Sequence, residues 1–412
     1  MDATWDPFRE IMGIWPTIPI TILSWYLGPE DEAIAALEHP DRVSRISLFV
    51  NESQLGEIAA LMQKPFPVLT HLSIASQYKT VPALPDGFLG GSAPSLQQLD
   101  LSGILYPALP VLLLSASNLV NLRLCNIPRT GYISPEAMVS YVAASPRLKT
   151  LYIEFGPRAS FPDLIISPSI TRAVLPALCD LSFFAGRKYI ENFVSRIDTP
   201  QLNSILVYYQ RGDININFDV SQLSKFINRS ESLKQSLSQH CKITVDQVQG
   251  FVTLCVSHIT SERQNLKPGI SVCLGKRVEE RILCLANILG SMSPILSDIV
   301  HCTIDSVWFM SGFEWVRDDL DWLRLLRQLL SLQTLFVSDN MARLIARALA
   351  NIDVGTTSET LPALQLLCIE KQEGYRHTSS IHDFLAVRRD SGHPVTFVET
   401  KVEFEERLKS YP

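Results

Sequence analysis

Charge is scarce in this chain. Only 19% of its residues are Asp, Glu, Lys or Arg, and they leave a formal net charge of −6. That is the wrong sign for a surface that must neutralise nucleic-acid phosphates or lie on an anionic leaflet, so neither nucleic acid nor a membrane is expected as a partner. The 36 Lys and Arg are scattered, and no stretch interleaves them with aromatics as single-strand binders do. Long apolar runs are missing too: the nearest, residues 282–296, is broken by Asn287 and Pro294, short of the about 18 uninterrupted residues a membrane span needs. Asp2, Asp6 and Glu10 stand where an export signal needs a positive start, and Pro16 and Pro19 interrupt the apolar stretch behind them. The expectation is a soluble intracellular chain, cytoplasmic or nuclear, in which the acceptor triplets Asn51-Glu52-Ser53 and Asn228-Arg229-Ser230 carry no weight.

Paired cysteines are absent as well. The eight thiols stand singly at 125, 179, 241, 255, 273, 284, 302 and 368, with no CxxC, which suits reduced, mostly buried cysteines rather than a disulfide framework. His240-Cys241, Cys255 with His258, and His301-Cys302 are soft ligand types, but their spacings match no zinc pattern, so neither metal nor cofactor is expected. Gly269 and Gly275-Lys276 fail as a phosphate loop, because one residue too many separates the glycines and Arg277 stands where Ser or Thr should hold magnesium. No GxGxxG, GxSxG or HExxH appears. Asp318, Asp319 and Asp321 beside Trp315 and Trp322 read as a solvated acidic turn next to buried tryptophans, and Trp308, Trp315 and Trp322 would share a helical face as core. No catalytic machinery is therefore expected.

What the chain has is apolar residues, 46% of the total, and a repeated way of using them. A Pro or Ser, one residue, a Leu, two residues, an aliphatic, one residue and another apolar recur as PVLTHLSI (67–74), PSLQQLDL (94–101), SNLVNLRL (117–124), PRLKTLYI (146–153), PALCDLSF (176–183) and PQLNSILV (200–207), then SLQTLFV (331–337) and PALQLLCI (362–369). The leading leucines Leu69, Leu96, Leu119, Leu148, Leu178 and Leu202 are 27, 23, 29, 30 and 24 residues apart, the spacing of leucine-rich repeats. Physically, LxxLxL sends alternate apolar residues of a short strand inward, and only stacking of coil on coil buries them. The expected fold is an α/β leucine-rich-repeat solenoid with a parallel sheet on the concave wall and helices and loops on the convex side. Ser134 as cap, Pro135 at the first helical position and Met138, Val139 and Val142 on one face mark one convex helix. Residues 57–62 and 343–350 read the same way.

Between Leu202 and Leu332 the phrase fades. Short apolar runs at 243–245, 251–255, 270–274 and 300–304 read as strands, and 222–227 and 280–289 as helices. Diverged repeats continuing the sheet are the expectation, with a hairpin insertion made by the 243 and 251 runs as the rival.

The phrases AALEHPDRV (35–43), MQKPFPVLTHL (62–72), PDGFLGGSAPSLQQLDLSGI (85–104), LPVLLLSASNLVNLRL (109–124), NIPRTGYISPEAMV (126–139), LPALQLLCIEK (361–371) and IHDFLAVRRDSGHPV (381–395) together resemble a large group of fungal F-box proteins carrying leucine-rich repeats. In that family an F-box docks on the Skp adaptor of a cullin ubiquitin ligase while the repeats recruit the substrate. The F-box bundle that should precede WPTIPITI has no counterpart here, since Met1–Met12 is too short to supply it. The resemblance therefore implies the substrate-recruiting half of such an adaptor, with the Skp adaptor a partner only if an F-box lies upstream. The organisation expected is an N-terminal cap over 1–42, a repeat array over 43–372 and a C-terminal capping segment over 373–412.

If the strand register holds, His71, Ser73, Gln98, Asp100, Asn121, Arg123, Thr150, Tyr152, Asp180, Ser182, Ser204, Thr334 and Phe336 face the concave wall. His71, Gln98, Asp100, Asn121, Arg123, Thr150, Tyr152, Asp180 and Phe336 are the candidate contacts for a protein partner, on the ground that aromatics and Arg anchor protein interfaces.

Overall fold

The computed structural model describes residues 18–24, 31–76, 83–156, 171–209, 219–237, 239–246, 251–257, 269–274, 278–292, 297–307, 319–350, 360–370 and 378–408. The chain divides into two compact units, Met1–Leu202 and Asn203–Pro412.

In the first unit, β1 (Ile20–Ser24), β2 (Val43–Phe49), β3 (His71–Ala75), β4 (Gln98–Ser102), β5 (Asn121–Ile127), β6 (Thr150–Phe155) and β8 (Asp180–Ala185) lie side by side in chain order, each parallel to the next. The register is the one the repeated phrase predicts. Leu72, Leu99, Leu122, Leu151 and Leu181 pair in one row, and Ile74, Leu101, Leu124, Ile153 and Phe183 in a second. Every one of these side chains is buried, as are all six leading leucines. A β7–β9 ribbon (Ala173–Val174 and Ile197–Asp198) forms a separate two-stranded sheet.

The prolines of the phrase hold one position throughout. The amide of each leading leucine donates to the carbonyl three residues earlier: Leu69 to Phe66, Leu96 to Ala93, Leu148 to Ser145, Leu178 to Leu175 and Leu202 to Thr199. Pro67, Pro94, Pro146, Pro176 and Pro200 are thus the second residues of four-residue turns, where the fixed φ of proline fits and its missing N–H costs nothing. After the turns that end at Leu96, Leu119, Leu148 and Leu178 one carbonyl of the preceding coil receives two amides of the next, as Gln97 O does from Val120 N and Asn121 N at 2.8 and 2.9 Å. Polar side chains extend the stacking: Ser95 Oγ donates to Pro67 O at 2.6 Å, Asn118 Nδ2 to Pro94 O at 2.9 Å and Arg147 Nη1 to Asn118 Oδ1 at 3.0 Å.

The connecting segments carry short helices, α1 (Asp31–Leu37), α2 (Glu52–Leu61), α3 (Leu109–Ser115), α4 (Pro135–Ala143) and α5 (Arg187–Val194). α4 begins as its sequence predicts, with Ser134 Oγ accepting from Ala137 N and Met138, Val139 and Val142 buried. α2 starts with a capping box in which Asn51 and Gln54 satisfy each other's amides. Gly90 turns with φ +66° where an added Cβ would lie within 3.0 Å of the Pro65 ring, so the close approach itself requires glycine.

The second unit departs from simple stacking. Its strands are β10 (Ser204–Tyr209), β11 (His240–Asp246), β12 (Phe251–Ser257), β13 (Gly269–Leu274), β14 (His301–Val307), β15 (Thr334–Val337), β16 (Leu366–Ile369) and β17 (Thr396–Val398), in the spatial order β10-β13-β12-β11-β14-β15-β16-β17. β12 is antiparallel to both neighbours; the remaining pairings are parallel. The strands expected from the apolar runs exist, but the hairpin insertion is correct and uninterrupted diverged repeats are not. Four residues separate β11 from β12, too few for the crossover a parallel neighbour needs. The helices here are α6 (Ser221–Arg229), α7 (Glu231–Ser236), α8 (Val278–Ser291), α9 (Asp319–Leu326), α10 (Asp339–Ala350), α11 (Thr378–Asp390) and α12 (Lys401–Leu408). Each unit is thus an α/β layer whose mostly parallel sheet keeps one face for the apolar ladder, which is leucine-rich-repeat architecture with one antiparallel insertion. Trp322 in α9 is 1% exposed and belongs to the core, whereas Trp308, Trp315 and Asp318 lie outside the described residues.

Leu99→Asp and Leu151→Asp each put a carboxylate into a fully buried row. Each is expected to cost more than about 3 kcal/mol of unfolding free energy in a urea titration, where a surface change costs under about 0.5 kcal/mol. A variant that unfolds at the parent's midpoint would contradict the register.

Candidate interaction site

With the leucines turned inward, the alternate residues of the first unit form two outward rows. Arg45, His71, Gln98, Asn121, Thr150 and Asp180 pair in the first, and Ser47, Ser73, Asp100, Arg123, Tyr152 and Ser182 in the second. All twelve retain solvent exposure. Eight of the nine candidate contacts therefore sit together on one sheet face.

Within this face one cluster is organised. Arg123 projects from β5 with its guanidinium carbon 4.0 Å from the centre of the Tyr152 ring on β6, while its Nε lies 3.8 Å from Asp100 Oδ2 on β4. Tyr152 is fixed in turn: its hydroxyl donates to Glu154 Oε2 at 2.7 Å, and its ring packs on Phe184 of β8 with centroids 5.3 Å apart. The Arg123 side chain nevertheless remains 51% exposed against 27% for Asp100. Partial burial raises the Asp100 carboxyl, opposed by the Arg123 charge, and burial together with the Glu154 contact raises the Tyr152 phenol. Burial pushes the Cys125 thiol, beside Arg123, up to about 11, so it is protonated at neutral pH. The result is a guanidinium held over an aromatic face on a side chain that is half exposed, a group suited to hydrogen bonding with a carboxylate or a carbonyl.

Glu154, Phe184 and Cys125 escaped the sequence expectation, which took two wall positions per strand. The strands run further, and the period-2 alternation that exposes Tyr152 also exposes Glu154.

The ninth candidate is corrected. Phe336 holds the outward position of its phrase but is 8% exposed, packed against Phe404 of α12 with ring centroids 5.5 Å apart. Thr334 is buried as well, at 2.6 Å from His301 Nδ1. The signal was present in LLCI at 366–369, a continuous apolar run of the kind that marks a strand covered on both faces. All four of those residues are buried.

Strand alternation also separates the soft ligands. Cys241 and Cys302 are register neighbours on the buried face, whereas His240 and His301 stack on the other with centroids 4.3 Å apart. Among the described residues no group of three His, Cys, Asp or Glu is gathered to hold a metal, and no helix is long and apolar enough to cross a membrane.

No protein-family model matches the chain, and no curated protein does. Among solved structures, the leucine-rich repeat-containing protein LegL7 from Legionella pneumophila is similar at 13% identity over 95% of this chain and 96% of that one, with a TM-score of 0.28. So low a superposition score adds nothing to the fold assignment, which rests on the strand register, and the likeness to fungal F-box proteins rests on the quoted phrases alone.

Burial and the neighbouring His240 lower His301 from 6.5 to about 4. Between those values the unfolded chain takes up a proton that the native imidazole refuses, so this contribution is fully present above pH 6.5 and is lost as pH falls toward 4. Urea midpoints measured from pH 7.5 to 4 should fall less steeply for His301→Asn than for the parent. Parallel curves would show that His301 carries none of the acid sensitivity.

Proposed function

We propose that the chain is a non-enzymatic protein-interaction module whose partner docks on the outward face of β3–β8. The Arg123–Tyr152 cluster is the single observation that carries this reading. A half-exposed arginine already stacked on a tyrosine and flanked by Asp100 has little side-chain freedom left to lose on binding, and Arg and Tyr of this kind are the side chains that dominate interface energetics. The surrounding Gln98, Asn121, Thr150 and Asp180 supply a polar rim. By family resemblance the partner is a substrate destined for ubiquitination, and the chain then acts as the recruiting half of a ligase adaptor.

The test uses the parent and the variants Arg123→Glu, Tyr152→Ala and Leu330→Glu as immobilised bait, the last altering an exposed leucine of the other unit. Expected is a protein retained by the parent and by Leu330→Glu but reduced at least tenfold on Arg123→Glu and Tyr152→Ala, all four melting alike. Equal recovery on all four would remove the partner from this face. The ligase reading has its own check: the Skp adaptor should co-purify with the full-length gene product, and its absence leaves a freestanding repeat module.

A further inference from the structure

Between the segment that follows β4 and the segment that follows β5, the inward side of the first unit holds a cleft of about 330 Å³. Its floor includes Leu101 and Leu124, register neighbours in the second buried row. Leu105, Pro107 and Pro110 stand on one wall, and Thr130, Tyr132 and Tyr141 on the other. We propose that this cleft binds an uncharged small molecule of about two rings that carries one hydroxyl or carbonyl oxygen. It shares no residue with the Arg123 cluster, which lies on the opposite face of the same strands, and does not depend on the protein-docking reading.

The two walls are tied to different neighbours. Beside Leu105, Tyr106 packs edge-on against Phe88 of the preceding coil with ring centroids 5.7 Å apart, and its hydroxyl donates to Phe88 O at 3.5 Å. Leu105 O accepts from Leu84 N at 2.8 Å, which fastens the same wall to the same coil. Tyr132 leans the other way, its ring centroid 5.9 Å from that of Phe155 and 6.1 Å from that of Tyr189 in the coils that follow. Only at one place do the walls come close: a Cβ added at Gly131 would lie 3.2 Å from Leu105 Cδ1. Elsewhere neither wall can close on the other without losing contacts on its own side, so the space is formed before a ligand arrives and little ordering remains for binding to impose.

The lining selects the ligand. Among the described residues that form it none is charged. Burial, with Asp86 near Tyr106 and Glu136 near Tyr132, pushes both phenols up to about 12, so they stay neutral. An ion entering this space would lose hydration without gaining a counter-charge. Size follows from volume: a cavity of about 150 Å³ holds benzene, and this one is roughly twice as large. The polar groups are one-sided. Thr130, Tyr132, Ser134 and Tyr141 bring hydroxyls to the α4 side, where Ser134 Oγ accepts from Ala137 N at 3.3 Å and keeps its own proton for an acceptor. Leu105, Pro107, Leu109 and Pro110 make the facing side apolar. The ligand oxygen therefore belongs against the α4 side and the rings against the leucines and prolines, the apolar walls and few convergent polar groups of a small-molecule site.

The probe is 2-naphthol, uncharged at neutral pH, titrated calorimetrically into the full chain. Saturable one-to-one binding is expected, about tenfold or more tighter than that of naphthalene-2-sulfonate, which presents the same rings with a charge. Ala137 lines the cleft from α4, so Ala137→Phe fills the space and should weaken naphthol binding by about tenfold or more while the protein stays folded. Leu330→Glu, in the other unit, should bind as the parent does. Saturating naphthol should also raise the urea midpoint of the parent and leave that of Ala137→Phe unchanged. Should circular dichroism show Ala137→Phe to be unfolded, Ala137→Met replaces it. Absence of saturable binding to the parent, equal affinity for parent and folded filled variant, or a sulfonate that binds as tightly as the naphthol overturns the proposal.

Discussion

The fold depends on the lateral burial of aliphatic rows between neighbouring coils. No strand of the first unit has a face wide enough to exclude water alone; Leu99 is dry because Leu72 and Leu122 flank it in register. Each such side chain contributes roughly 1.5–3 kcal/mol when removed from water, and none contributes until its neighbours are in place. The proline turns and twofold-accepting carbonyls set the height of each coil, which keeps the rows aligned. Once one face is committed to this purpose, alternation leaves the other to be decided by whatever residues stand between the leucines.

Two solutions for that second face appear in the two units. Across β3–β8 the intervening residues are polar or amphipathic, and they organise one another through Asp100, Arg123, Tyr152 and Glu154 without burying the guanidinium. Across β15–β17 they are Thr334 and Thr396 with the apolar Phe336, Leu366, Cys368 and Val398, and a helix packs on the apolar ones. A free apolar strip of that kind would invite association with other chains, so the cover is part of what makes the sheet tenable.

Much of the first unit was legible in the sequence because LxxLxL specifies both period and inward direction, so that Leu69 through Leu202 predict the register without further help. The cap at Ser134 was legible for a similarly local reason. The path of residues 240 to 274 was legible only as a pair of alternatives, since period-2 runs show that strands exist without saying which way they point. What decides the matter is the length of the connection between β11 and β12. Phe336 was misjudged because alternation tells which face a residue occupies but not what covers that face. α12 is charged along most of its length and leaves little trace of its docking beyond Phe404. The Arg123 cluster was half visible: the residues were named, but their mutual support depends on lateral distances that no single strand encodes.

The hairpin changes how the second sheet must be assembled. In the first unit, rows join residues such as Leu99 and Leu122, so each new coil finds its neighbour soon after it is made. In the second, Ser204 pairs with Gly269 and His240 with His301, which places each partner more than two coils further along the chain. Closing such long loops before any contact repays them slows folding. During synthesis the edge of β10 that takes β13 therefore waits while α6, α7 and the β11–β12 hairpin are made, and an unpaired strand edge is the feature that makes a partly folded chain prone to aggregate.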